Sequence, residues 1–377
     1  MRLWFAAFWI ALAFGCKKRE PPLVLAVDPV SEADAKALGE KLVAVAKPCD
    51  PRRLSPLIDH QALAAKFANT SKLPNAQRTG RALMKEQTAS QILCGWLRGV
   101  TEYKLLRVKM VGSEPHPIMR RMMRDARSGI TAIGYDELQL GTTKKDRQVR
   151  LYDVFFYVQG QWLTQVLGGN SPDSFIEQPQ AAEAVRKARE LQRGGKYTEA
   201  IAEVDKLPPD IRSQRAVQMV RVQSAAGIGG DTFKQALDDL DKQYPGDPSI
   251  AMIEMDGAFV RGDFDAALKW IDLIDKAVGG DPFQEANRAV AYMRKGELDK
   301  AAEHVEAAIK QEPTLQRAWE VKLDVSLKGK KWPDVVAAIT ELEKLGMKFD
   351  PEKLKNAPSM AEFAATPEFK QWLATHK

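Results

Sequence analysis

Residues 282–313 read PFQEANRAVAYMRKGELDKAAEHVEAAIKQEP, and the reading of this stretch decides the fold. Two short helices fit on either side of Lys295-Gly296-Glu297. Ala289, Tyr292 and Leu298 fall where the first helix and the turn must pack. Ala301, Val305 and Ala308 form one face of the second helix at spacings of four and three. Ala301 and Ala308 are small, as a close helix crossing requires. Gly296 stands where the first helix must end, and Pro313 stops the second.

The same arrangement recurs along the second half of the chain. A large apolar residue follows a turn at Tyr197, Phe233, Phe264, Leu298 and Trp332, at spacings of 36, 31, 34 and 34. Three residues after each comes a small or branched one: Ala200, Ala236, Ala267, Ala301 and Val335. A turn glycine precedes at Gly195, Gly230, Gly262, Gly296 and Gly329. Pro208 closes a shortened first unit, Pro248 the second and Pro313 the fourth. A fixed period of this length means stacked helical hairpins.

The five units resemble the tetratricopeptide repeat. The resemblance implies an all-α solenoid over 181–345 and a concave groove, lined by the first helix of each unit, that receives a protein or peptide partner. The groove positions fall on Arg189 and Arg221 in units one and two, and on Met252, Asp256 and Phe259 in unit three. In unit four they fall on Ala286, Asn287, Val290 and Met293. Met252 and Val290 suit the core equally well. The clamp with which some such repeats grip a terminal carboxylate needs Lys, Asn and Arg in consecutive units. Asn287 matches one place, but Met252 and Asp256 stand where Lys and Asn should be, so that function is not implied. Residues 346–377 hold short helices, with Leu354, Phe363, Phe369, Trp372 and Leu373 placed to cap the last unit.

The front of the chain differs. The first fifteen residues, MRLWFAAFWIALAFG, are one arginine and an apolar run too short to span a membrane comfortably. Cys16 follows at once. This is similar to a bacterial lipoprotein signal, with Ala13 where the family usually has Leu. The resemblance implies a signal peptide over 1–15, a lipidated Cys16 and, with Lys17 in place of Asp, an outer membrane location facing the periplasm. An uncleaved anchor and a plain secretory signal are the alternatives. Residues 16–30 read as a tether. Export would allow Cys49 and Cys94 to form a disulfide; two buried free thiols are the other reading.

Helical patterns cover 31–47, with Ser31 as cap, then 52–69 and 76–97. The period then changes to two. In 103–111, Leu106, Val108 and Met110 alternate with Arg107 and Lys109, a half-buried strand. Residues 117–124 fit either a strand or a helix, and 130–140 with 148–158 form a hairpin. Helices followed by an antiparallel meander make an α+β domain over 31–167, joined to the repeats by a polar linker, 168–180. Its element order is similar to the nuclear transport factor two-like cone, which implies a curved sheet with a pocket.

The chain has 377 residues and is 45% hydrophobic and 28% charged, the composition of a globular protein. Residues 16–180 carry 25 Lys and Arg against 17 Asp and Glu, so the front half is basic. Arg120, Arg121, Arg124 and Arg127 form its densest cluster, read as a solvated edge or, alternatively, a site for phosphate or lipid.

No catalytic or metal constellation is apparent. His60, His116, His304 and His376 stand apart from other ligand types at metal spacing. Asp59-His60 lacks a nucleophile in a recognisable setting, and no glycine pair follows a strand as a phosphate loop must. The expectation is a non-enzymatic, envelope-anchored interaction scaffold with no cofactor, no metal and no nucleic-acid partner. The alternatives are a small-ligand or enzymatic front domain using Tyr135, Asp136 and Tyr152, and a nucleic-acid binder using the basic front half.

Overall fold

A computed structural model describes residues 21–71, 75–84, 86–124, 131–158, 160–167, 179–247 and 249–375. The expected leader, Cys16, residues 168–178 of the linker, Arg127 and His376 lie outside the described residues. The fold class is the one expected: an α+β domain, then an all-α solenoid of helical hairpins.

Six strands form one antiparallel sheet among the described residues. They are β1 (Val27–Asp28), β2 (Val100–Val111), β3 (Glu114–Arg124), β4 (Thr131–Thr143), β5 (Val149–Phe156) and β6 (Gln161–Trp162). The order is β2-β3-β4-β5-β6, with β1 paired to the end of β4 through Val27 and Thr143. Residues 117–124 are therefore strand. Residues 21–30, expected as free tether, lie along the domain. The Leu23 N–H donates to Gln77 Oε1 at 3.0 Å, and Leu23 and Val30 pack against the core. Their apolar side chains gain more from that surface than from water.

Helix Glu32–Ala46 begins where Ser31 Oγ accepts from the Asp34 N–H. The long helices expected at 52–69 and 76–97 are each broken. The first becomes Pro51–Leu54, a 3-10 turn at Ser55–Leu57 and His60–Thr70; the second becomes Ala76–Leu83 and Glu86–Trp96. Pro56, which cannot donate to a helical ladder, and Asp59, which caps the later helix through the Ala62 N–H, account for the first break. Cys49 and Cys94 are disulfide-bonded, tying the helix 86–96 to the end of the first. Leu42, Leu63, Phe67, Tyr103, Met119, Leu138 and Phe156 fill the space between these helices and one face of the sheet.

The repeats run as pairs: Pro179–Arg193 with Tyr197–Asp205, Arg215–Ile228 with Gly230–Gln243, and Ala251–Arg261 with Phe264–Val278. Pro282–Lys295 with Leu298–Gln311 and Gln316–Lys328 with Trp332–Lys344 follow. Ala200, Ala267, Ala301 and Val335 are fully buried and Ala236 nearly so, because helices cross at these points. Gly296 takes a left-handed conformation, φ 86°, to end its helix. In unit five the corresponding glycine does not: Gly329 stays right-handed and Lys330, φ 55°, makes the turn instead. Phe363, Phe369 and Trp372 are buried against Ile339 and Leu342, so the C-terminal helices cap unit five.

Candidate functional site: the groove between sheet and repeats

Much of the second face of the sheet is covered by the repeats. It lies against the loops joining unit three to four and four to five. Strand β3 alternates strictly. Met119 and Met123 join the core under the helices, while Ile118 packs with Met255, Ile271 and Ile274 of unit three. Met122 packs against the Phe283 and Leu315 cluster of units four and five. Both faces of the strand are buried, one by each domain.

Arg120 lies on the repeat side with no exposed surface. Its Nη1 donates to Asp281 Oδ1 at 2.7 Å, and Nη2 donates to Glu102 at 2.7 Å and Glu312 at 2.8 Å. Asp281 also caps helix 282–295 through the Phe283 N–H and accepts from the Tyr135 hydroxyl at 2.7 Å. Gln284 donates to Tyr135, and Asn287 donates to Gln284. Burial works against the charge of Glu312, but Arg120 and Lys104 outweigh it and hold the carboxyl below its usual range. Arg107 and Lys109 reach the carbonyls of Gly280 and Ala277 at 2.7 Å each.

The basic cluster is thus neither a solvated edge nor a phosphate site in its described part. Arg121, on the helix side, lies near Asp136, Nε to Oδ2 3.4 Å, and over the Trp96 ring at 4.4 Å. Two arginines surrounded by protein acids and rings cannot also grip nucleic-acid phosphates. The enzyme candidates are equally committed. Tyr135 belongs to the interdomain network, Asp136 faces Arg121, and Tyr152 is buried. Burial pushes the Tyr135 hydroxyl far up and the Asp136 carboxyl up.

Beside this contact a cavity of 1390 Å³ remains between the sheet and the first helices of units three to five. Met252, Asp256, Phe259, Asn287 and Val290 line it, with Met122 and Ile133 across from them. Asp256 is crowded by protein, which pushes its carboxyl up to about 6, but the side chain opens to water, so it is mostly ionised at pH 7. Neither Asp256 nor Arg294, also on the lining, has a hydrogen-bond or ion-pair partner among the described residues.

The other expected groove residues are elsewhere. Ala286 is fully buried and Met293 nearly so, because both pack in the cluster that the helices of units four and five form with Ala301, Val305 and Ala318. Arg221 pairs with Asp239 at 2.7 Å and lies near Asp205 at 3.4 Å, in a separate hollow of units one and two. Arg189 is part-buried on its helix, outside the cavity.

His60 Nε2 lies 3.0 Å from Ser55 Oγ, a pair the sequence did not reveal, but Asp59 is engaged in capping helix 60–70. His116 sits between Glu137, 2.6 Å, and Glu114, 3.3 Å. His304 contacts Glu285 at 2.7 Å. Among the described residues no cluster of three or more His, Cys, Asp or Glu is placed to hold a metal ion, and no helix is long and apolar enough to cross a membrane.

No family model and no curated protein matches the chain. Among solved structures it is similar to PilW, a widely conserved type IV pilus biogenesis factor, at 12% identity, 51% of this chain, 98% of that chain and TM-score 0.39. It is also similar to a mutant of MamA, at 13% identity, 44% and 96% coverage and TM-score 0.33. The third is the TPR2AB domain of yeast Sti1 with pHSP90, at 12% identity, 55% and 93% coverage and TM-score 0.26. Likenesses this low carry no argument about function, which rests on the groove itself.

Proposed function

We propose that this chain is a non-catalytic interaction scaffold of a bacterial envelope, held by lipid at Cys16, whose groove takes a peptide segment of a protein partner. The observation that carries the reading is the cavity: an apolar floor of Met252, Phe259 and Val290, with Asp256 and Arg294 unpaired on its lining. Flexible methionine beside aromatic and branched residues suits an apolar peptide face, and the two charged side chains suit its polar flanks. Tyr135, Asp136 and Tyr152 being committed to packing weighs against an enzymatic front domain.

The test is photo-crosslinking in cells from position 290, beside position 306 on the outer helix face, in the wild type and in Met252→Glu. A partner captured at 290, absent at 306 and lost in Met252→Glu supports the reading. Equal capture at both positions sinks the groove. Intact mass and membrane fractionation beside Cys16→Ser test the anchor separately.

A further inference from the structure

We propose that the face where the chain enters the fold rests on an anionic lipid headgroup surface; this deepens the envelope reading above and rests on its lipid anchor. The fold takes hold of the chain early. Arg81 Nη2 donates to the Pro21 carbonyl at 2.5 Å, and β1 begins at Val27. Pro21 stands only five positions after Cys16, a span of about 17 Å when fully extended. A lipid on Cys16 therefore forces this face to within about two Debye lengths of the bilayer.

The face is built for that position. Val24 is 63% exposed and Met84 37%, and both line one hollow of 940 Å³ with Arg52, Lys144 and Lys145. The three cations are exposed, and their side chains have no hydrogen-bond or ion-pair partner among the described residues. The carboxylates on the same hollow are occupied: Asp146 accepts from Arg150 and Thr143, and Asp59 caps helix 60–70. The hollow thus presents unpaired positive charge around apolar side chains, which complements anionic headgroups over acyl chains. Lys17-Lys18-Arg19 in the short lead adds charge of the same sign.

The experiment uses the full mature chain, lipidated at Cys16, in vesicles of phosphatidylcholine alone or mixed with phosphatidylglycerol. Backbone hydrogen exchange is read at 24–28 and 143–147. The expected result is slowing on the anionic vesicles only, weakened by high salt. It falls about fivefold for each lysine removed in Lys144→Gln and Lys145→Gln, and is unchanged in Lys353→Gln with Lys355→Gln on the C-terminal cap. Equal exchange on both vesicles overturns the lipid face and leaves the anchor standing. The same slowing by inorganic phosphate without vesicles also overturns it, in favour of a small-anion site. A chain that joins neither vesicle overturns both the face and the anchoring reading.

Discussion

The guanidinium of Arg120 and the carboxylate of Asp281 meet at 2.7 Å with both side chains fully buried, 161 residues apart in sequence. Asp281 caps the first helix of unit four, and Arg120 sits mid-strand in the other domain. One carboxylate therefore both caps a helix and fastens a sheet. Removing the arginine leaves Asp281 buried without its cation and Glu312 with Lys104 alone, so Arg120→Ala should lower stability by about 3–5 kcal/mol in urea unfolding. Asp281→Asn should cost less, since Arg120 keeps Glu312 and Glu102. An Arg120→Ala chain with the wild-type midpoint would refute this account of the interface.

His116 gives the interface a pH dependence. Burial opposes its charge, but Glu137 and Glu114 outweigh burial and raise its pKa, while His116 and Tyr157 hold Glu137 low against the same opposition. The histidine contribution is fully present below its unfolded value, about 6.5, and is lost as pH rises through the higher folded value. The Glu137 contribution is present above about 4.5 and lost as pH falls through the lower folded value. His116→Gln should therefore lose most against the wild type between about pH 4.5 and 6.5, and much less at alkaline pH. Denaturation midpoints at pH 6 and pH 9 check this; a loss independent of pH would contradict it.

Glu254 behaves in the opposite sense. It is 1% exposed, and burial raises its carboxyl to about 7, only partly countered by Arg261 at 3.5 Å. Its proton is held more tightly in the folded state, so stability from this group is full below about 4.5 and declines as pH rises through about 7. Glu254→Gln should be nearly neutral at pH 4 and stabilising by roughly 1–3 kcal/mol at pH 8. A destabilised variant at pH 8 would show that the Arg261 pairing outweighs the burial cost.

The Cys49–Cys94 bond closes a loop with a sequence separation of 45. Chain entropy alone makes such a closure worth about 4 kcal/mol. Reduction, or Cys49→Ser with Cys94→Ser, should lower the unfolding midpoint of the front domain while the repeat helices keep their signal. Fluorescence of Trp96, adjoining the bond in the core, against far-ultraviolet helicity separates the two. Coincident loss of both would show that the repeats depend on the front domain.

The repeat array was legible in the sequence because each hairpin writes its packing locally. Gly296 ends a helix, Leu298 restarts one, and Ala301 marks a crossing, all within six residues. The meander was legible for the same reason, from a period of two. The breaks at Pro56 and Asp59 are also local, but the apolar spacing continues through them and masks them. The signal for the domain contact lay in Ile118-Met119-Arg120-Arg121-Met122-Met123, where each face of the strand carries two apolar residues and one arginine. That is the pattern of a strand buried on both sides. What covers the second face is not written locally. Glu312 lies 192 residues from Arg120, and a surface arginine and one meeting a distant carboxylate have the same letter. The sequence by itself determined the elements and the stacking, because those follow from neighbours a few residues apart. Only the tertiary structure decided that the sheet closes one edge of the groove, leaving Met252, Asp256, Phe259 and Val290 on an open cavity, and that Ala286 and Met293 fall inside the packing of units four and five.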